Sequence, residues 1–176
     1  PSIDLRISTN NNRVEILREG LAMAIRYGTG SWTGLEAEPL LEAPLAPLCA
    51  PSIAEYLTTP ETLGREVLLR SYRSDEWPRW FAEAGSSCPP LTGPMFDSSL
   101  AMADIASEGA GVALLPVGMF TRRIAEGRLV QPFSTVLSAG SYFLTWPADR
   151  PPTPAMVDFR RWLRAVSAGS ATRATD

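Results

Sequence analysis

The string Phe96-Asp97-Ser98-Ser99-Leu100-Ala101-Met102-Ala103 holds the densest set of chemically useful groups in the chain. A short apolar run passes into a helical pattern through three small polar residues. That brings two hydroxyls, a carboxylate and several free backbone N–H groups to the positive end of a helix dipole. Such an end accepts a carboxylate or a phosphate. The same residues also serve as plain N-caps, and one hydroxyl suffices for that task. Asp97, Ser98 and Ser99 are therefore candidate ligand contacts. A second set, Asn10-Asn11-Asn12-Arg13, follows one strand pattern and precedes a helical one. There Asn10 offers amide donors and acceptors to a polar ligand, or simply caps. Arg70-Ser71-Tyr72-Arg73 closes another strand pattern. Arg70 can fork onto a carboxylate or phosphate or form a surface ion pair, with Tyr72 beside it. Tyr142, within Ser141-Tyr-Phe-Leu-Thr-Trp146, carries a hydroxyl that can face a ligand or the core.

What is missing narrows the chemistry further. All 16 basic residues are arginine; the 176 residues contain neither lysine nor histidine. That excludes a Schiff-base or P-loop lysine, a histidine general base, a Ser-His-Asp triad and most zinc sites. No serine lies in a G-x-S-x-G elbow. The reading is of a binding module, not an enzyme, with no catalytic residue, metal or cofactor. Cys49 and Cys88 are too few for a disulfide framework, which fits a reducing cytoplasm. Cys49, within an apolar stretch, reads as a buried thiol, and Cys88 precedes Pro89-Pro90 in a loop. A net charge of −3 argues against nucleic-acid binding by these residues themselves. No apolar run approaches the ~20 residues of a membrane span, and no signal-peptide pattern is visible.

Strands alternate with helices along the chain. Strand patterns occur at Ile3 to Ile7, Leu21 to Tyr27, Val67 to Ser71, Pro94 to Asp97, Val112 to Leu115, Leu129-Val130 and Ser141 to Trp146. Helical patterns occur at Arg13 to Glu19, Pro51 to Leu57, Pro60 to Gly64, Ser74 to Ala84, Ser99 to Ser107, Val117 to Glu126, and a last helix beyond Thr153. Trp77, Trp80 and Phe81 share one helix face and read as core. Pro39 to Leu48 carries three prolines, which suits an edge strand or an extended crossover better than a central strand. The alternation predicts an α/β fold with largely parallel sheet. An extended stretch near each end suggests two lobes with ligand between them, at the carboxyl ends of the strands.

Three strings then bring a family into view: Ser2-Ile-Asp-Leu-Arg-Ile7, Glu19-Gly-Leu-Ala-Met-Ala-Ile-Arg-Tyr-Gly28 and Ser107-Glu-Gly-Ala-Gly-Val-Ala-Leu-Leu-Pro116. They resemble the effector-binding domain of LysR-type transcriptional regulators, the last matching that family's G-x-G-[IVA]-x-x-[LV]-P pattern. Narrower strings include Ser8-Thr-Asn-Asn-Asn-Arg-Val14, Leu69-Arg-Ser-Tyr-Arg-Ser-Asp-Glu-Trp77, Phe96-Asp-Ser-Ser99 and Gly140-Ser-Tyr142. They resemble the branch that regulates inducible β-lactamase.

The resemblance implies two Rossmann-like lobes joined by two crossover strands, as in periplasmic binding proteins. Lobe I would comprise 1–45 and 147–170, lobe II 46–146, and 171–176 a disordered tail. The first lobe would lack its first strand–helix unit, and the winged helix-turn-helix that contacts DNA would lie outside this chain. The implied ligands are muropeptides, UDP-N-acetylmuramyl peptides repressing and 1,6-anhydro-N-acetylmuramyl peptides activating, with Ser99 and Tyr142 as contacts. The implied assembly is a homodimer or tetramer. The alternatives are a periplasmic-type solute-binding protein for a small anionic ligand and, less simply, a hydrolase free of lysine and histidine.

Overall fold

Prolines decide where two of the strands can lie. A proline removes a ladder donor and is tolerated only at a sheet edge or a bulge. In a computed structural model describing residues 3–9 and 20–173, the proline-bearing stretch divides into β2 (Leu35–Glu42) and β3 (Leu45–Leu48). Each is the edge of its own sheet. Pro39 stands beside a register shift in β2, and Pro47 lies within β3.

The chain forms two units: residues 1–42 with 140–176, and residues 43–139. In unit 1, β7 (Ser141–Pro147) is the centre of a sheet of order β1-β7-β2, with β1 at Ala24–Gly28. Both pairings are antiparallel. Gly30, at φ +93°, completes the turn after β1. A Cβ there would stand 2.8 Å from the Phe143 ring, so both its backbone and its space require glycine. Helix α5 (Pro154–Arg173) is capped by Thr153, whose Oγ1 accepts from the Met156 N–H at 3.3 Å.

Unit 2 has a sheet of order β3-β6-β4-β5, with β4 at Leu68–Ser71, β5 at Met95–Phe96 and β6 at Val112–Pro116. β4 runs parallel to β5 and β6; β3 is antiparallel to β6. β6 is buried throughout, as a strand covered on both faces must be. On one face Leu68, Val112 and Leu114 meet Trp77, Trp80 and Phe81 of α2 (Glu76–Glu83). On the other, Leu69, Ala113 and Leu115 meet Met102, Ala103 and Ala106 of α3 (Ser99–Ser107). A short α1 (Pro51–Ala54), a 3-10 turn at Pro60–Arg65, another at Val117–Met119 and α4 (Thr121–Ala125) fill the connections.

Several expectations need correction. The unit boundaries fall at 42/43 and 139/140, not 45/46 and 146/147, because the pairing of Ser141–Pro147 with β1 and β2 carries that strand into unit 1. Among the described residues parallel pairing is confined to unit 2, and the sheet of unit 1 is antiparallel. Ile3 to Ile7 is not a strand. Its alternating apolar side chains have no partner strand among the described residues, and Ile7 is 79 % exposed. Val130 makes only an isolated bridge to Cys49. The expected tail is still helical through Arg173. The helix expected at Arg13 to Glu19 lies outside the described residues.

Candidate functional site

The carboxyl end of β4 and the start of α3 share one edge of unit 2. The parallel register sets Arg70 opposite Met95 and Ser71 opposite Phe96. Tyr72 and Asp97 therefore follow at the same end of adjacent strands. Ser98 is the N-cap of α3, with extended backbone and Oγ accepting the Ala101 N–H at 3.4 Å. Ser99 is the first helical residue, half-buried. Because Ser98 does the capping, the Ser99 hydroxyl is not required for it. The amides of Ser99 and Leu100, in the first turn, have no carbonyl one turn earlier to bond. Asp97 is exposed. The arrangement presents donors to an anionic or hydroxyl-rich ligand.

The β4 end is braced from beneath. Ser71 Oγ donates to Glu76 Oε2 at 2.5 Å and accepts the Arg73 N–H at 3.0 Å, while Trp77 Nε1 donates to Leu69 O at 2.9 Å. Burial pushes the Glu76 carboxyl above the usual carboxylate range, although the Ser71 hydrogen bond and the Arg73 charge oppose that shift. Tyr72 is 54 % exposed, and the Arg73 guanidinium lies 4.6 Å from its ring centroid. Arg70 is spent differently from the sequence expectation. Its Nε donates to Gly93 O at 2.7 Å and its Nη1 to Leu91 O at 3.3 Å.

Unit 1 carries Tyr142. Its cross-strand partners are Tyr27 and Leu41, and its ring meets that of Tyr27 edge to face, centroids 5.4 Å apart. Alternation puts it on the same face of β7 as Leu144 and Trp146. On that face Glu38, opposite Leu144, is buried and accepts from Arg160 (2.7 Å to Nη2) and Arg164, while Arg160 lies 4.1 Å above the Trp146 ring. Burial pushes the Glu38 carboxyl up, but the hydrogen bonds and charges of both arginines outweigh it and hold the group below its ordinary range.

The structure thus brings together Arg70, Tyr72, Asp97, Ser98 and Ser99 in unit 2 and sets Tyr142 in unit 1. Asn10 lies outside the described residues. The buried carboxylates Glu38 and Glu76 escape the sequence reading. Arg160 and Arg164, four apart on one helix face, are the one local sign of the first. Cys49 is fully buried, its thiol pushed up to about 11 by burial and the charge of Glu66. No helix among the described residues is long and apolar enough to cross a membrane.

Comparison with known proteins shows the family and the fold. The LysR substrate binding domain model matches residues 1–168. The chain is 66 % identical over 168 residues to the HTH-type transcriptional activator AmpR of Rhodobacter capsulatus, covering 96 % of this chain and 58 % of that protein. It is 51 % identical over 170 residues to AmpR of Pseudomonas aeruginosa, covering 96 % and 57 %. It therefore spans somewhat over half the length of these relatives. The solved effector domain of Pseudomonas aeruginosa AmpR superposes with a TM-score of 0.92 at 50 % identity, over 98 % of this chain and 85 % of that one. The AmpR effector binding domain of Citrobacter freundii gives 0.90 at 46 %, over 94 % and 84 %. The mixed α/β architecture in two lobes is theirs. The chain belongs to the LysR substrate-binding domain family.

Proposed function

We propose that this chain is the sensory part of a cytoplasmic transcriptional regulator of inducible β-lactamase, and that its effectors are muropeptides. UDP-N-acetylmuramyl peptides favour the repressing state and 1,6-anhydro-N-acetylmuramyl peptides the activating one. Each shifts the equilibrium only by its differential affinity for the two states. The chain catalyses nothing; it binds as part of a homodimer or tetramer, and DNA is contacted by residues outside these 176.

The observation that carries the reading is the start of α3. Ser98 caps the helix, so the hydroxyl of Ser99 and the adjacent amides are available to a stem-peptide carboxylate or a sugar. The 66 % identity to a protein named AmpR supports the effector class. Tyr142, Asp97, Tyr72 and Asn10 are the further proposed contacts.

Calorimetric titration with UDP-N-acetylmuramyl pentapeptide tests this. Ser99→Ala and Tyr142→Phe should each weaken binding by about 1 kcal/mol, more where the partner is charged, with unchanged circular dichroism. Full affinity in both variants would place the ligand elsewhere.

A further inference from the structure

Ser98 and Ser99 follow a segment with few backbone donors of its own. From Cys88 to Pro94, three of seven residues (Pro89, Pro90 and Pro94) lack an N–H donor. The strand that follows, β5, has two residues and two register pairs with β4. On one side the loop is pressed against β4: a Cβ added to Gly93 would collide with Leu68 O. Elsewhere it borders a cavity of about 320 Å³, which Gly64, Glu66, Pro90, Thr92 and Pro94 help to line. Cys88 and Leu91 anchor the loop against the core of unit 2, and the segment between Leu91 and β5 borders that cavity.

Arg70 supplies the missing donors. Its backbone N–H donates to Pro94 O at 3.0 Å, its Nε to Gly93 O at 2.7 Å and its Nη1 to Leu91 O at 3.3 Å. One residue thus gathers three of the four carbonyls between Leu91 and Pro94. Hydrogen bonds from a charged donor are about twice as strong as neutral ones. The planar fork that spans two carbonyls is a property of arginine that a lysine ammonium does not share.

We propose that Arg70 is a positioning residue for the effector site: by clamping 91–94 it fixes β5, and through β5 the first turn of α3 with Ser98 and Ser99. This rests on the reading that Ser99 touches the effector. Arg70 acts through that serine and not on the ligand.

The test compares wild type, Arg70→Met, Arg70→Lys, Ser99→Ala and the Arg70→Met/Ser99→Ala double variant, all in the 176-residue chain. Amide hydrogen exchange and titration with UDP-N-acetylmuramyl pentapeptide are the two readouts. In both Arg70 variants amides 95–101 should exchange roughly tenfold faster while those of β6 keep their protection. Affinity should fall about fivefold in Arg70→Met, with little further loss when it is added to Ser99→Ala, because the two act in series. Unchanged exchange at 95–101 would overturn the clamp. Additive losses in the double variant would overturn the indirect route and put Arg70 on the ligand. If wild type does not bind the probe, the effector reading falls, and the exchange measurement alone decides whether Arg70 positions α3. Should Arg70→Met fail to fold, Arg70→Lys, which keeps stem and charge but loses the fork, carries both readouts.

Discussion

Unit 2 and unit 1 both pack helix against sheet but are held by different forces. In unit 2, Trp77, Trp80 and Phe81 are at most 3 % exposed and meet one another with ring centroids 5.3–6.0 Å apart. Their contribution is apolar burial, roughly proportional to area and indifferent to pH. In unit 1, the helix that covers the sheet is tied down by a carboxylate. Glu38, 6 % exposed, accepts from both Arg160 and Arg164. A buried ion pair contributes little net stability while intact, yet it is costly to break, because the surviving charge is left without its partner. The difference teaches how each unit fails: unit 2 chiefly through lost volume, with Glu76 adding a loss as pH rises, and unit 1 through the loss of its ion pair as pH falls.

The largest expected effect is on the apolar side. Trp80→Ala removes a fully buried ring that also donates through Nε1 to Thr135 O at 3.0 Å. It should cost about 3–5 kcal/mol, read by urea unfolding, and a loss below about 1 kcal/mol would erase the contrast. Glu38→Gln comes next, at about 2 kcal/mol, with exchange protection lost in α5 and β2 but kept in β6. The pH dependence sharpens the comparison, because the two buried carboxylates titrate with opposite sense. Glu38, held below its unfolded pKa, contributes stability that is complete above the unfolded value and is lost as pH falls through the folded one. Glu76, raised above its unfolded pKa, contributes stability that is complete below the unfolded value and is lost as pH rises through the folded one. Stability measured across the acid range should therefore flatten on its acid side in Glu38→Gln and on its alkaline side in Glu76→Gln. The same slope in both variants would refute the opposition. The smallest effect is Ser98→Ala: loss of the N-cap of α3 should cost about 1 kcal/mol, seen as faster exchange at the start of that helix.

What can be read from the sequence is what is local. The span Ser99 to Ser107 follows from small polar residues ahead of an apolar period, which leave the cap open between Asp97 and Ser98; the helix forms there and Ser98 caps it. The aromatic stripe of α2 and the edge placement of Pro39 and Pro47 follow for the same reason. What escapes is pairing at a distance. Tyr142 lies opposite Tyr27 across more than a hundred residues, and nothing near either one announces it. Glu38 and Glu36 sit two apart in one strand and look alike as residues; only the helix that arrives from the far end of the chain buries one of them. Arg70 shows the limit at the site itself. Its position at a strand end is read correctly, but which oxygen its fork would meet depends on a loop twenty residues later.

The edge prolines have a consequence for the behaviour of the protein in a crowded cell. An open strand edge is a template on which another chain can pair, and a continuous row of donors is what makes such growth run away. β2 is interrupted at Pro39, where its register also shifts, and β3 at Pro47. The β2 margin is thus broken at Pro39, while the β3 margin lacks a donor at Pro47 and is covered on either side of it by the bridges Leu45–Leu137 and Cys49–Val130. Pairing of a further strand along either margin would therefore have to proceed across a missing donor.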